Sequence, residues 1–274
     1  MGSRDSAFER DALAEDVERR FHQELFEATP DQVRDAMGWR CETVGGALVS
    51  VATGASSILF NRTLALGQRQ PATEDHVASI CDIYADAGVA RYFVHVSPHA
   101  RPGKIGNWLA AQGLAPQRRW MKFERDARPA PTVTTRFQVC RIETAQGAAV
   151  GRIVADAFDL GDEAAGVFPS LVGRPDWLLF GAFVGDELAA GSGMYVQDGC
   201  AYLNFAATAP AHRCQGAQNV LLAARIEAAR DRGCTLMWTE TGEAVPGDPQ
   251  HSYRNIERAG FSPAFPCENY APAG

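Results

Sequence analysis

The stretch that decides the fold lies at residues 202–222 and reads YLNFAATAPAHRCQGAQNVLL. It begins as an apolar strand, crosses a short loop through Pro210 and opens a long helix directly after Gly216. The first amides of a helix have no intrahelical partner and lie at the positive end of the helix dipole, so a glycine turn here predicts a pyrophosphate site. The turn is not a Rossmann or phosphate-loop motif, because it contains neither G-x-G-x-x-G nor G-K-[ST].

The chain outside this stretch predicts a mixed α/β architecture in two halves, separated by the prolines at 129 and 131. In the first half an amphipathic helix at 8–28 leads into strands at 47–52, 57–66, 91–96 and 118–125 and helices at 73–88 and 105–112. In the second half the pattern predicts strands at 137–142, 178–184, 188–196, 201–208, 235–240 and 262–270 and helices at 145–158, 164–172, 215–232 and 252–259.

The end of the second half repeats the end of the first. Asp86-Ala87-Gly88 and Asp231-Arg232-Gly233, 145 positions apart, each close a helix before a strand. Gly113 and Gly260, 147 positions apart, do the same for the next helix. We therefore predict an internal duplication, with one domain at 1–130, which includes the leading helix, and a second at 131–274. Only the second domain carries the glycine turn.

The composition is that of an ordinary folded protein, with 46% hydrophobic and 22% charged residues. The net charge of −7 is uneven, with −1 in residues 1–130 and −6 in residues 131–274. Such an acidic half argues against nucleic-acid binding and fits a neutral or cationic small substrate. The lysines are Lys104 and Lys122, so the C-terminal half has no Schiff-base or phosphate-loop lysine.

Cysteine usage and terminal composition predict the compartment. The seven cysteines contain no C-x-x-C pair, which is typical of reduced thiols in a cytoplasmic protein. His212 and His251 are the histidines of the second half, and we expect each to be a surface or loop residue. A metal site would need more ligands than these two. A charged N-terminus and the lack of a long apolar run argue against secretion and membrane insertion. We expect a monomer or a homodimer.

The segment around Gly216 resembles the signature of the GNAT superfamily of acyl-CoA-dependent N-acyltransferases. In that signature a basic residue or Gln, two variable residues, Gly, one variable residue and Gly or Ala open a long helix after a strand. Arg213 and Gly216 fit this pattern, and Gly260-Phe261 fits the end of the family's last helix. The match covers most of residues 136–270. Together with the duplication, it implies two GNAT-like mixed-sheet units in tandem, each a central β-sheet flanked by helices. Because the N-terminal copy lacks the glycine turn, our hypothesis is that it is degenerate and shapes the acceptor cleft, where the loop at 97–102 would lie.

The resemblance also implies an activity and the residues that bind the acyl donor. A primary amine, of a small molecule, attacks the thioester of acetyl-CoA directly in a ternary complex, and positioning supplies much of the acceleration. The residues implied for acetyl-CoA binding are Phe205, Ala206, Ala207 and Thr208 at the strand end, Arg213, Cys214, Gln215, Gly216, Ala217 and Gln218 in the turn, and Asn255 on the last helix. No metal is implied.

Gln218 departs from the family pattern, because the family has Gly or Ala at this position. Its side chain could crowd the pyrophosphate or hydrogen-bond to it. One alternative that this residue leaves open is an acyl transferase that draws on aminoacyl-tRNA, against which the acidic charge counts. A second alternative, a non-catalytic CoA-sensing or interaction module, follows from the absence of the family's tyrosine.

The catalytic groups depart from the family as well. A base must take the proton of the amine and an acid must protonate the leaving thiolate. The tyrosine that many members use as the acid falls on Ile256, and the glutamate that some members use as the base falls on Tyr202. The candidates are Tyr253 and Tyr270 for the acid and Glu240 and Glu243 for the base, with Tyr202 as a further catalytic candidate.

Overall fold

A computed structural model of the chain describes the backbone of residues 2–273 and the side chains of residues 9–273. The chain forms two compact units. Unit 1 comprises the residues up to Glu27, Arg34–Met121 and the residues from Phe265 on, and unit 2 comprises Ala28–Val33 and Lys122–Ala264. This division falls between residues 121 and 122, whereas the sequence predicted a boundary at 130/131, and the end of the chain returns to unit 1.

The elements follow the predicted order closely. The helices are α1 (Gly2–Ala28), α2 (Asp31–Met37), α3 (Glu74–Asp86), α4 (Ile105–Ala111), α5 (Thr144–Phe158), α6 (Ala217–Asp231) and α7 (His251–Arg258). The strands are β1 (Trp39–Val44), β2 (Ala47–Ala52), β3 (Arg62–Leu64), β4 (Phe93–Val96), β5 (Leu114–Asp126), β6 (Gln138–Arg141), β7 (Trp177–Val184), β8 (Glu187–Gln197), β9 (Cys200–Thr208), β10 (Leu236–Gly242) and β11 (Ser262–Pro272). Short 3₁₀ helices lie at Glu163–Leu171 and Pro210–His212.

Unit 1 is a mixed sheet with strand order β1-β2-β3-β4-β11-β5 and a core that includes Val49, Ile80 and Leu109. The sequence prediction missed β1, which forms a tight hairpin with β2 through Gly45 and Gly46, both at positive φ. The predicted strand at 57–66 was too long, because β3 has three residues. The Asn61 side chain before it bonds the main chain of Ala52 and Ala55 in a buried turn.

Unit 2 has the strand order β5-β10-β9-β8-β7-β6. Antiparallel pairing links β6, β7, β8 and β9 in succession, and β9 pairs in parallel with β10 through the crossover helix α6. The helix predicted at 164–172 is a 3₁₀ helix at Glu163–Leu171, consistent with the proline at 169 inside it.

The two units repeat the same strand–helix–strand element. In unit 1 it is β3, α3 and the parallel strand β4, and in unit 2 it is β9, α6 and the parallel strand β10. Arg62 pairs with Phe93 in the first, and Tyr202 pairs with Trp238, 145 positions after Phe93, in the second. Three residues after Arg62 and Tyr202 the backbone turns left-handed, with φ of 60° at Ala65 and 56° at Phe205. The chain is therefore a tandem of two related α/β units.

Within residues 2–273, no helix combines the length and the apolar character needed to cross a bilayer. In the same described part of the chain, no three His, Cys, Asp or Glu side chains are grouped so that they could hold a metal ion.

Candidate functional site

A cavity of about 570 Å³ lies in unit 2, between the end of β9, the turn before α6, the helix α7 and the end of α5. Nine of the eleven residues predicted to bind acetyl-CoA line it: Ala206, Ala207, Thr208, Arg213, Cys214, Gly216, Ala217, Gln218 and Asn255. The lining also includes residues that were not predicted from the sequence, among them Phe158, Asn219, Ser252 and Arg258. The local signal of the strand–turn–helix was thus sufficient to find most of the cavity.

The cavity depends on a β-bulge in β9. Gly193 of β8 pairs with Asn204 and Gly191 pairs with Ala207, so β9 has one residue more than β8 in this interval. The extra residue is accommodated at Phe205, whose φ is 56° and whose amide donates to the Asn204 Oδ1 atom at 2.6 Å. The bulge displaces the following segment, residues 206–208, which lines the cavity.

Strands β9 and β10 diverge just before this bulge. Their parallel pairing runs from Leu236 with Cys200 to Trp238 with Tyr202. At the next position the Thr239 hydroxyl donates to the Leu203 carbonyl at 2.9 Å. The divergence opens the sheet on the side where β9 enters the cavity.

The turn before α6 leaves its backbone amides accessible. Gly216 is the N-cap at a φ of 90°, and no side chain caps the helix there. A Cβ atom placed on Gly216 meets nothing within 4 Å, so there is open space at the turn. The buried Asn219 Oδ1 atom, on a cavity-lining residue, accepts no hydrogen bond from the described residues. Free helix amides and open space are what a pyrophosphate group requires.

Two arginines bring positive charge to this cavity of an otherwise acidic half. Arg213 reaches it from the turn, where its Nε donates to the Thr208 carbonyl at 3.2 Å. Arg258 reaches it from α7, and its Nη1 donates to the Asn255 Oδ1 atom at 2.9 Å. Asn255 in turn donates to the Gln218 Oε1 atom at 3.3 Å. The Gln218 side chain is therefore bonded to α7, which leaves the turn amides uncapped by it.

Two of the predicted cofactor residues point elsewhere. The ring of Phe205 is buried and packs edge-on against Phe168, with 5.1 Å between the ring centroids. The side chain of Gln215 donates to the Ala211 carbonyl at 3.1 Å and accepts from Arg136. The side chains of Phe205 and Gln215 therefore contact neighbouring protein groups instead of lining the cavity. His212, expected at the surface or on a loop, is buried and lines the cavity, with its Nε2 atom 2.9 Å from the Glu187 Oε1 atom.

The structure brings together two catalytic candidates and adds a residue that the sequence analysis did not assign. Lys122 of β5 forms an ion pair with Glu240 of β10, with the two side chains 1% and 9% exposed. The Lys122 ammonium lies 5.6 Å from the ring centroid of Tyr202. Glu240 and Tyr202 flank the point where β9 and β10 diverge. The rarity of lysine in the chain could have drawn attention to Lys122. No feature of the neighbouring sequence indicates that Glu240 is its partner.

The other candidates lie apart from this pair. Tyr253 packs edge-on against Phe123, with 4.7 Å between the ring centroids, and burial raises the pKa of its phenol. Because Lys122 and Phe123 are adjacent in β5, they lie on opposite faces of the sheet, and so do Glu240 and Tyr253. Tyr270 lies in unit 1, where its strand β11 pairs with β4. Glu243 directly follows β10.

Comparison with known proteins agrees with this geometry. Residues 148–255 match the model of the acetyltransferase (GNAT) family. The fold is similar to a GCN5-related N-acetyltransferase from Kribbella flavida, with a TM-score of 0.66 and 15% identity over 94% of each chain. It is also similar to a tandem GNAT protein from the clavulanic acid biosynthesis pathway, with a TM-score of 0.58 and 16% identity over 83% of this chain and 78% of that one.

A GCN5-related N-acetyltransferase from Sphaerobacter thermophilus is similar as well, with a TM-score of 0.59 and 14% identity over 86% of this chain and 82% of that one. No curated protein sequence matches the chain. The family match covers the divergent strands, the glycine turn and the helix α6, which are the parts that build the cavity. Residues 148–255 therefore match the acetyltransferase (GNAT) family, and the chain as a whole has a fold similar to that of a tandem GNAT protein.

Proposed function

We propose that the protein is an acetyl-CoA-dependent N-acyltransferase that transfers an acetyl group to the primary amine of a small molecule. The observation that carries this proposal is that one continuous cavity of unit 2 joins the displaced end of β9 to the uncapped turn at Gly216. A strand end offers backbone groups to an extended amide-containing arm, and a helix N-terminus binds phosphate. Both belong to one ligand only if that ligand carries an arm and a pyrophosphate, as acetyl-CoA does.

The residues of the cavity fit the donor by charge and by hydrogen-bonding capacity. The amides after Gly216 would hold the pyrophosphate, and Arg213 and Arg258 would balance its charge. Residues 206–208 would bind the arm through their backbone, since two of their three side chains are methyl groups. Acetyl-CoA supplies an acetyl group activated as a thioester. The bond between Gln218 and Asn255 supports acetyl-CoA over aminoacyl-tRNA as the donor, because it takes the glutamine side chain into a contact with α7.

The catalytic step would depend on position and on proton transfer. Glu240 is our candidate for the group that takes the proton of the amine, directly or through water, because it flanks the point where β9 and β10 diverge. Lys122 neutralises this carboxylate and fixes its orientation. Tyr202, beside the same pair, is the candidate on this face for protonating the thiolate, and Tyr253 is the candidate on the other face. No acyl-enzyme is needed, and Cys214 lies at the phosphate end of the cavity.

The acceptor is assigned by charge. Residues 131–274 carry a net charge of −6, which disfavours nucleic acids and favours a neutral or cationic amine. We propose that unit 1, which lacks the glycine turn, takes no acetyl-CoA.

Calorimetric titration with acetyl-CoA tests the donor assignment, and turnover with a panel of small amines, followed by thiol release, tests the reaction. We expect saturable binding and release of free CoA with at least one amine. Absence of binding at millimolar acetyl-CoA would overturn the proposal. Binding without turnover on any amine would instead favour the CoA-sensing module, for which the buried Ile256 at the position of the family's tyrosine is the specific observation.

A further inference from the structure

An arginine is buried within the apolar face of α6. Arg225 is 1% exposed, and its buried neighbours on the helix are Leu221, Leu222, Ile226 and Ala229. A guanidinium group removed from water is costly unless carboxylates or several hydrogen bonds compensate it. Among the described residues no carboxylate does so, and burial lowers the pKa of Arg225 to about 9. The presence of an arginine at this buried position of α6 therefore requires an explanation.

The hydrogen bonds of Arg225 all go to main-chain carbonyls. Its Nε donates to the Leu221 carbonyl, one turn earlier on α6, at 3.1 Å. Its Nη1 donates to the Gly193 carbonyl of β8 and to the Asn204 carbonyl of β9, each at 3.3 Å. One side chain thus joins the helix to two adjacent strands.

The two strand carbonyls belong to the pair that precedes the β9 bulge. Gly193 and Asn204 are opposite each other, and the next pair is Gly191 with Ala207. A bulge disrupts the ladder on either side of the extra residue, and buried carbonyls there need another donor. The Asn204 carbonyl is also part of the peptide unit that leads into Phe205, whose left-handed backbone is unfavourable for a residue with a side chain. Arg225 therefore bonds the two strands next to a residue with an unfavourable left-handed backbone.

We propose that Arg225 is a positioning residue, which holds the β9 bulge in register with the phosphate-binding turn at the start of α6. This inference rests on the proposed function and deepens it. The turn at Gly216 belongs to α6, and Arg225 lies nine residues along the same helix. Displacement of the bulge would move residues 206–208 relative to the turn, so that the arm of acetyl-CoA loses its contacts while the phosphates keep theirs.

The test compares Arg225→Met with Arg230→Met. Arg230 is on the same helix and donates to the Ala127 carbonyl at 2.9 Å, away from the bulge, so it controls for loss of an arginine from α6. Binding of acetyl-CoA and of adenosine 3′,5′-bisphosphate, which has no arm, is measured by calorimetry. For Arg225→Met we expect acetyl-CoA binding at least tenfold weaker and adenosine bisphosphate binding within twofold of wild type. Arg230→Met leaves both unchanged. Arg225→Lys, which keeps a donor, recovers part of the acetyl-CoA affinity.

Hydrogen exchange of the ligand-free proteins gives a second readout that does not depend on acetyl-CoA. We expect Arg225→Met to speed exchange of the amides of residues 205–208 at least tenfold and to leave those of β7 unchanged. Should Arg225→Met fail to fold, Arg225→Lys carries both measurements, with smaller changes of the same pattern. Wild-type protein that binds no acetyl-CoA would reject the proposed function. Unchanged exchange at 205–208, or equal loss of both ligands, would reject the role of Arg225.

Discussion

The two strand–helix–strand elements share a topology but differ at the start of the helix. This region is closed by hydrogen bonds in unit 1 and open to a ligand in unit 2. In unit 1 the helix α3 begins at Thr73, whose hydroxyl accepts from the His76 amide while the His76 ring accepts from the Thr73 amide, both at 3.2 Å. This capping box satisfies the backbone groups that a ligand would otherwise bind. In unit 2 the helix α6 begins at Gly216, where no side chain caps the helix.

The strand ends differ in the same way. In unit 1 the loop after β4 bonds the loop after β3, because the Arg101 amide donates to Gly67 at 3.0 Å and the Arg101 carbonyl accepts from Ala72 at 2.7 Å. The contact is so close that a Cβ atom on Gly67 would lie 2.6 Å from the Arg101 carbonyl oxygen. In unit 2 the corresponding region is a cavity. A duplicated fold can thus lose a phosphate site when its own backbone and side chains satisfy the groups that the ligand would use.

The largest expected effect comes from filling the open turn. Gly216→Arg places a side chain at a φ of 90° beside the amides that would bind pyrophosphate, so acetyl-CoA affinity falls at least 100-fold. Gly233→Arg is the matched control, because Gly233 follows the other end of α6, has a φ of 74° and also has nothing within 4 Å of a Cβ atom. Calorimetry on both variants checks the prediction. Equal affinities for the two would contradict the position of the site.

A smaller effect comes from removing one cavity charge. Arg258→Ala weakens acetyl-CoA binding about tenfold, which is about 1.4 kcal/mol, because a charge near the phosphates is lost. The difference between wild type and variant shrinks in high salt, which screens the interaction. Arg254→Ala, an exposed residue of the same helix that does not line the cavity, leaves the affinity unchanged. Similar losses in both variants would mean that the net charge of α7, and not the cavity, controls binding.

Thiol labelling compares two exposed cysteines without any substitution. Cys140 and Cys214 are the exposed cysteines, whereas burial raises the pKa of Cys41 to about 12 and of Cys234 to about 11. Iodoacetamide at pH 8 therefore labels Cys140 and Cys214 first. Saturating acetyl-CoA slows labelling of Cys214 at least fivefold, because Cys214 lines the cavity, and leaves Cys140 unchanged. Mass spectrometry reads both sites, and protection of both or neither would contradict the assignment.

The smallest effect is expected in the closed unit. Thr73→Ala removes the capping box and lowers the free energy of unfolding by about 1 kcal/mol. Acetyl-CoA binding does not change, because the loop after β4 still bonds the loop after β3. Denaturant unfolding and calorimetry measure the two quantities. A gain of a second binding event in Thr73→Ala would show that the cap alone keeps unit 1 closed.

The sequence predicted those features that depend on neighbours in the chain. The strand–turn–helix at Gly216 and the helix ends that recur at a spacing of 145 residues are local features. Helix caps and hydrophobic periodicity are determined by residues that are close together in the chain. The hairpin at Gly45 and Gly46 is also encoded locally, by two consecutive glycines with positive φ between β1 and β2. The strand predicted at 57–66 is too long because the residues before β3, although of β-forming types, form a buried turn held by Asn61.

The features that could not be predicted from the sequence depend on contacts between residues that are distant in the chain. Lys122 and Glu240 are 118 positions apart, and Arg225 bonds carbonyls 21 and 32 positions away, so no window of sequence contains either arrangement. The division into compact units likewise does not follow the prolines at 129 and 131. Strand β5 begins in unit 1 and ends in unit 2, and β11 begins in unit 2 and ends in unit 1, so composition does not mark the division.

The most direct test of the central claim, one open site in unit 2 and a closed counterpart in unit 1, is the stoichiometry of acetyl-CoA binding by calorimetry. We predict one molecule per chain for the wild type and none for Gly216→Arg under the same conditions. Two molecules per chain, no binding to the wild type, or one molecule still bound by Gly216→Arg would contradict the account.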